Sequence, residues 1–193
     1  MERIFKRKLY AKLLDWKRTS NGKTALLIEG ARRVGKSTLV EQFAQQEYDT
    51  YILVDFNKAP KHIKELFEDL TDLSKIFLRL QQHYHIILKP RKSVIVFDEV
   101  QNCPLARQAI KYLVQDGRYD YIETGSLISI KKNTQHITIP SEEERVTLFP
   151  MDYEEFRWAL GDEVSYELLK QVYASTKTMG TAHRDTMYDL RLY

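Results

Sequence analysis

The chain has 193 residues, a length that suggests one domain with room for a fragment of another, and 43% of them are hydrophobic, enough for a buried core. Its single cysteine, Cys103, excludes an intrachain disulfide framework and a cysteine metal site, and it favours the reducing cytoplasm as the location. No apolar run approaches the length of a transmembrane helix, so we expect no membrane partner.

The net charge of +3 is unevenly distributed, because the first 18 residues carry seven basic and two acidic side chains. This segment therefore has a net charge of +5, and the rest of the chain has −2. Its apolar residues recur at helical spacing: Ile4, Phe5, Leu9, Leu13 and Trp16. Three interpretations stay open: a helix that packs on its own domain, a contact with nucleic acid, or a contact with an anionic surface.

The segment GARRVGKST, residues 30–38, fits the phosphate-binding pattern GxxxxGK[ST]. A predicted buried strand (24–29) precedes it, and a predicted helix that begins near Lys36 follows, which is the order that a phosphate loop requires. Lys36 is predicted to reach the β- and γ-phosphates, and the Ser37 hydroxyl to bind Mg²⁺. The other predicted nucleotide-binding residues are Gly30, Arg33, Val34, Gly35 and Thr38. Arg32 and Arg33 either raise the local positive potential or are solvated loop arginines.

The middle of the chain supplies carboxylates at the end of a strand. After a predicted strand (51–56), apolar residues at helical spacing predict helix across residues 61–88. Residues 94–97 form a continuous apolar run, typical of a parallel strand buried on both faces, and it ends in Asp98 and Glu99. Ligand sites in parallel sheets lie at the carboxyl ends of strands, so this pair is predicted to lie beside the phosphate loop. Asp98 suits a role at Mg²⁺, and Glu99 suits activation of an attacking water.

The remaining segment predicts a helix, two strands and a further helix. Asn102 is predicted to cap a helix that ends before Gly117, and a strand over residues 119–123 leads into Thr124 and Ser126. Ser126 either hydrogen-bonds the γ-phosphate or the attacking water, or belongs to a simple turn. Arg145 begins the predicted fifth strand (145–149), from which it projects into a neighbouring subunit's site or pairs with a nearby glutamate. Asp152 and Glu155 have the spacing of a capping box.

Five predicted strands that alternate with helices indicate an α/β domain with a parallel sheet. The chain resembles AAA+-type P-loop ATPases, and more narrowly the prokaryotic ATPases whose AAA domain precedes a C-terminal domain of unknown function. The segments that carry the resemblance are GARRVGKST, YILVDFN, FDEVQNCP followed by KYL, ETGSL, and RVTLFPMDYEEF. The resemblance implies the strand order 5-1-4-3-2. It also implies that Ser126 lies at the sensor-1 position, where Asn is usual, although Thr124 stays open as the sensor residue. Arg145 would occupy the position of an arginine finger.

The resemblance also implies a domain organisation. Residues 1–160 would form the nucleotide-binding α/β domain with its basic N-terminal helix, and residues 161–193 would begin a helical lid. Because family members are considerably longer, we expect this chain to be truncated, without most of the lid and without the C-terminal domain. An incomplete lid predicts an ATPase that is poorly active as the isolated chain. The lid usually supplies a second arginine, for which Arg184 and Arg191 are available but not assigned.

The leading functional hypothesis is Mg²⁺-dependent ATP binding and hydrolysis by a switch or motor domain, with ATP and ADP as ligands. The alternative is a nucleotide-binding sensor module with little or no turnover. A GTPase should carry an NKxD motif, but the only Asn-Lys pair reads NKAP (57–60), and a small-molecule kinase has less use for Glu99. A homo-oligomer and nucleic acid are the further partners left open.

Overall fold

The computed structural model describes residues 5–126 and 141–174. They divide into two compact units, which are described separately. The first, called the α/β unit, comprises the described residues of Lys8–Pro150, and the second joins residues 5–7 to residues 151–174. The boundary at residue 160 between a nucleotide-binding domain and a lid stays a prediction.

Within residues 8–126 and 141–150, five parallel strands form one sheet in the order β2-β3-β4-β1-β5. The strands are β1 (Ala25–Gly30), β2 (Thr50–Asp55), β3 (Ser93–Asp98), β4 (Asp120–Ser126) and β5 (Glu143–Leu148). The helices are α1 (Leu9–Ser20), α2 (Lys36–Glu47), α3 (Lys61–Lys64), α4 (Leu73–Tyr84) and α5 (Pro104–Asp116). Read from the β5 edge, this order is 5-1-4-3-2, so the predicted α/β class and strand order are confirmed.

Helices cover both faces of the sheet with apolar layers. Successive residues of β1 alternate between them: Leu26 and Ile28 join the layer under α1 and α2, while Ala25 and Leu27 join the layer under α4 and α5. β3 is buried along its whole length, as its continuous apolar sequence predicted. The central strands are therefore buried between two helical layers, and the loops that leave their carboxyl ends share one edge of the sheet.

The basic N-terminal segment forms a helix that packs on the α/β unit. Leu9, Leu13 and Trp16 of α1 are buried in the layer that α1 shares with α2, and the Trp16 indole N–H donates to Thr24 Oγ1 at 3.2 Å. The packing interpretation is therefore confirmed for α1. Ile4 lies outside the described residues, and a contact between the exposed basic side chains and nucleic acid stays a prediction.

The prediction of continuous helix across residues 61–88 is wrong. The structure has α3, a 3₁₀ turn (Glu65–Phe67) and, after a break, α4. The Asp69 carboxylate accepts the N–H of Thr71, and Asp72 caps α4 by accepting the N–H of Ser74 at 3.0 Å. The helical spacing runs across the break because the segments before and after it bury apolar residues in the same core layer.

Two smaller predictions are also corrected. Asn102 does not cap α5, because it ends a 3₁₀ turn (Val100–Asn102) and its side-chain amide donates to Asn57 Oδ1 at 2.8 Å. Cys103 is the residue that precedes α5. Arg145 does not begin the fifth strand, because β5 starts two residues earlier, where Glu143 pairs with Ala25 of β1.

The second unit contains the helices α6 (Tyr153–Ala159) and α7 (Ser165–Ala174). The predicted capping box is confirmed: Asp152 Oδ1 accepts the N–H of Glu155 at 2.9 Å, and Glu155 Oε2 accepts the N–H of Asp152 at 3.2 Å. The Arg7 guanidinium lies 3.2 Å from the Glu155 carboxylate, and both side chains are buried. The Lys6 ammonium lies 4.6 Å from the centroid of the Trp158 ring.

A charged cluster is buried between α5 and the β5 side of the sheet. Arg107 of α5 donates two hydrogen bonds, of 3.0 and 3.1 Å, to Glu143, and both side chains are almost fully buried. Arg145 donates to the same Glu143 carboxylate at 2.7 Å. Glu123 of β4 is fully buried beside them. Glu123 and Arg145 both pair with Leu27 of β1, from the β4 side and from the β5 side. The pKa of Glu123 is raised well above its usual range by burial and by the negative charge of Glu143.

This cluster predicts a pH dependence of stability. A carboxyl group whose pKa is raised in the folded state stabilises the protein fully below its unfolded pKa of about 4.3, and this contribution is lost as pH rises through the folded pKa. We therefore expect Glu123→Gln, which removes the titration, to flatten the fall in the free energy of unfolding as pH rises above about 5. Urea denaturation at several pH values measures this slope. The exposed Glu68→Gln is the matched control, and parallel curves for the parent and Glu123→Gln would contradict the prediction.

Candidate active site

The predicted phosphate loop and the polar residues that end β3 and β4 all lie at the carboxyl edge of the sheet. The phosphate loop leaves β1, Asp98 and Glu99 lie where β3 ends, and β4 ends in Thr124–Ser126. β4 lies between β1 and β3, so these three strand ends are neighbours. The sequence placed the pair Asp98 and Glu99 beside the loop, and the strand order accounts for that placement.

The phosphate loop has a backbone that only certain residues tolerate. A Cβ atom on Gly30 would lie 2.3 Å from the backbone oxygen of Leu148 in β5, so no side chain fits there. Gly35, directly before α2, has a φ of +94°. Arg33 also adopts a left-handed conformation, with a φ of +64°, which is uncommon for a residue with a side chain and typical of functional loops. Val34 lies between them, and Thr38 is exposed in the first turn of α2.

Helix α2 begins at Lys36, so the first backbone N–H groups of the helix, which have no intrahelical partner, face the loop. The Lys36 side chain is buried, and its ammonium donates to the backbone oxygens of Ala31 at 2.8 Å and Gly30 at 3.3 Å. Burial lowers the pKa of Lys36, and the charges of Glu99 and Asp98 partly oppose that shift. The arrangement places a desolvated positive charge and a helix N-terminus at one point, which suits an anion.

A short hydrogen-bonded chain joins the loop to β3 and β4. The Ser37 hydroxyl donates to Asp98 Oδ1 at 2.9 Å, and the Thr124 hydroxyl donates to the same oxygen. Burial raises the pKa of Asp98, and the hydrogen bonds from Thr124 and Ser37 oppose the rise. The site thus holds a hydroxyl oxygen and a carboxylate side by side, the hard oxygen ligands that Mg²⁺ takes when it keeps its waters and the oxygens of a phosphate.

Among the described residues, no group of three or more His, Cys, Asp or Glu side chains could hold a metal ion. A metal at Ser37 and Asp98 would therefore need further ligands from water or from a bound nucleotide, and this dependence fits a cation that arrives with its phosphate.

Glu99 is held by its backbone and by its side chain. Its φ is +54° and its ψ is +48°, a strained conformation for a residue other than glycine. Its N–H donates to Thr124 Oγ1 at 3.1 Å, so one threonine contacts both acidic residues of the site. Its carboxylate accepts a hydrogen bond from the side-chain amide of Gln101.

The last two predicted site residues lie in different places. Ser126 is the last residue of β4, buried and in register with Gly30, so its backbone lies beside the start of the phosphate loop. Arg145 lies in register with Leu27, three residues before β5 ends, and its side chain, 42% exposed, pairs with Glu143. The structure therefore groups Lys36, Ser37, Asp98 and Glu99, with Ser126 next to them, and places Arg145 in the charged cluster under α5.

No role for Gln101 was predicted from the sequence, and Thr124 was an open alternative to Ser126 for the sensor position. The period of two in a strand accounts for both candidates, because Thr124 and Ser126 lie on the same face of β4. No comparable pattern points to Gln101, which lies in a short 3₁₀ turn.

A family model described as an AAA domain matches residues 22–157. The search of curated proteins found no match. Among solved structures, the structure of C. elegans PCH-2 is 11% identical, with a TM-score of 0.39; the match covers 90% of this chain and 46% of that chain. This structural similarity is too low to support any inference about this chain. Within the described ranges, no helix has both the length and the apolar character needed to cross a membrane.

Proposed function

Because this chain belongs to the AAA domain family, we propose that it binds ATP with Mg²⁺ and hydrolyses its terminal phosphoanhydride bond. The observation that carries the proposal is the chain of contacts from Ser37 through Asp98 and Thr124 to Glu99, directly beside Lys36. These contacts run from the loop through a hydroxyl and a carboxylate to the backbone N–H of Glu99, and they support a site for phosphate, metal and water at one edge of the sheet.

Each residue has a role in this proposal. The backbone N–H groups of the loop and of the first turn of α2 hold the phosphates, and Lys36 exchanges its two backbone oxygens for phosphate oxygens. Ser37 and Asp98 would hold Mg²⁺, which would neutralise charge on the phosphates. Glu99 orients a water molecule and accepts its proton as the water attacks the γ-phosphorus and the bond to the β-phosphate oxygen breaks.

Ser126 is proposed to contact the γ-phosphate or the attacking water with its hydroxyl. Its position at the end of β4, between the strands that lead to the loop and to Glu99, supports this role. Loss of the γ-phosphate would then alter a contact at the end of a central strand.

The test is phosphate release by the purified chain, with ATP or GTP and with or without Mg²⁺, together with calorimetric binding of each nucleotide. We expect release from ATP that requires Mg²⁺. ATP binding without release would favour the sensor module, and the absence of ATP binding would overturn the proposal.

The finer expectations from the sequence belong to the same proposal. They are membership of the prokaryotic branch whose AAA domain precedes a C-terminal domain, a lid that starts near residue 161, action in the cytoplasm, and self-association. The segment with Arg184 and Arg191 lies outside the described residues.

Arg145 tests the proposed self-association. If it completes a neighbouring subunit's site, Arg145→Ala should bind ATP normally and hydrolyse it slowly, and mixing with Lys36→Ala should restore activity, because the mixture pairs an intact arginine with an intact loop. Phosphate release at several mixing ratios measures this, with the exposed Arg79→Ala as the control. No restoration in a protein that does self-associate would leave Arg145 as a partner of Glu143 alone.

A further inference from the structure

The side chain of Gln101 contacts the carboxylate of the proposed base. It lies two residues after Glu99, and its amide nitrogen donates to Glu99 Oε2. Gln101 is only 5% exposed, so its amide is held by the protein and is not a surface group that happens to meet a neighbour. We infer that Gln101 is a positioning residue, which fixes the Glu99 carboxylate in the orientation needed for attack by water. This inference rests on the proposed ATP hydrolysis.

The backbone explains why Glu99 needs such a partner. With φ at +54°, Glu99 lies outside the extended conformation of β3, and its Cα–Cβ bond leaves the direction that the strand would give it. The Thr124 hydroxyl accepts the backbone N–H of Glu99 and donates to Asp98. These two hydrogen bonds do not involve the Glu99 carboxylate. A glutamate side chain has three rotatable bonds, so a fixed backbone alone leaves the carboxylate free to turn.

The turn that carries Gln101 is itself anchored. The N–H of Asn102 donates to the backbone oxygen of Glu99 at 3.0 Å, which closes the 3₁₀ turn. The Asn102 side chain then donates to Asn57 Oδ1 at 2.8 Å, in the segment that follows β2. Gln101 therefore extends from a turn that is fixed at both ends, and its amide can hold Glu99 at low entropic cost during reaction.

The chemistry of the contact also suits a base. The Gln101 N–H occupies one carboxylate oxygen, Oε2, so the other oxygen is left to accept the proton of the water. An amide does not titrate, and it therefore orients Glu99 without competing for that proton.

The test compares kcat and KM for Mg·ATP in the parent, Gln101→Met and Gln101→Glu. Met keeps the length of the side chain and loses the donor, while Glu keeps the shape and, when ionised, has no proton to donate. We expect both variants to lose about 10-fold or more in kcat, as a slightly misplaced catalytic group does, with KM within about 2-fold of the parent. Gln108→Met, on the exposed side of α5, is the matched control and should match the parent.

A second measurement separates positioning from a purely structural role. If Gln101 acts through Glu99, adding Gln101→Met to Glu99→Gln should leave the residual single-turnover rate within about 2-fold of Glu99→Gln alone. A structural role would lower the residual rate again. If Gln101→Met does not fold, as judged by circular dichroism, Gln101→Leu, which also lacks a donor and adds no charge, takes its place in both measurements.

Three results overturn the inference. An active parent with an unchanged kcat in Gln101→Met would remove the positioning role and leave the proposed function intact. A lower kcat in Gln101→Glu with an unchanged kcat in Gln101→Met would indicate that repulsion between carboxylates, and not the loss of a donor, reduces turnover. A parent that hydrolyses no ATP would overturn the proposed function and this inference together.

Discussion

Replacement of Lys36 by alanine should reduce ATP affinity by roughly 100-fold or more, because a contact between a buried ammonium and a phosphate contributes about 3 kcal/mol. The side chain is buried, and its ammonium already lies against the backbone oxygens of the loop, so it is placed for phosphate before any nucleotide arrives. No other described lysine lies within the loop, residues 30–38, and Arg32 and Arg33 are both exposed. Calorimetric titration with Mg·ATP measures the loss.

Because Lys36 is buried, its removal could alter the fold as well as the site. Lys111→Ala, an exposed change on α5, is the control for the general effect of removing a lysine, and it should bind ATP like the parent. Circular dichroism and the melting temperature report on folding of Lys36→Ala. A folded Lys36→Ala variant with undiminished ATP affinity would show that the loop does not hold the phosphates.

Glu99→Gln should retain affinity for Mg·ATP and lose about 10²-fold or more in turnover, the usual contribution of a general base. The amide has the size of the carboxylate but cannot accept the proton of the water. The Ser37–Asp98 pair and Lys36 are untouched, so nucleotide binding has no reason to weaken. Single-turnover phosphate release and calorimetry separate chemistry from binding.

Glu68→Gln, an exposed change of the same chemical kind, is the control and should hydrolyse ATP at the parent's rate. Hydrolysis by Glu99→Gln at that rate would place the base elsewhere. A joint loss of affinity and turnover would instead give Glu99 a part in holding the nucleotide or its cation.

The local patterns of the sequence predicted the parts of the site that depend on neighbours along the chain. Gly30, Gly35, Lys36 and Ser37 are recognisable because a phosphate loop needs fixed spacing between a turn, a charge and a helix start. An apolar run that ends in two acids likewise identified the end of β3. The strand order came from the resemblance, since alternation of strands and helices alone does not select one order among several parallel sheets.

The features that the sequence did not predict depend on contacts between distant segments. The helical period continued across residues 68–72 because both sides of the break pack on one core layer, and periodicity records the buried face without the turn. The burial of Arg107 with Glu143 required knowledge that α5 lies against β5. The contact of Gln101 with Glu99 depends on the left-handed backbone conformation of Glu99, which no pattern of residue types predicts.

The two tryptophans of the chain, Trp16 and Trp158, fall in different units, and this separation gives each unit its own fluorescent reporter. Trp16 of α1 is buried, so its emission should shift to longer wavelength when the α/β unit unfolds. A Trp158→Phe variant would report on that unit alone, and a Trp16→Phe variant on the other. Because a ligand stabilises the state that binds it, ATP should raise the melting transition seen through Trp16. Comparison of the two melts would show whether the units unfold in one cooperative step or in two.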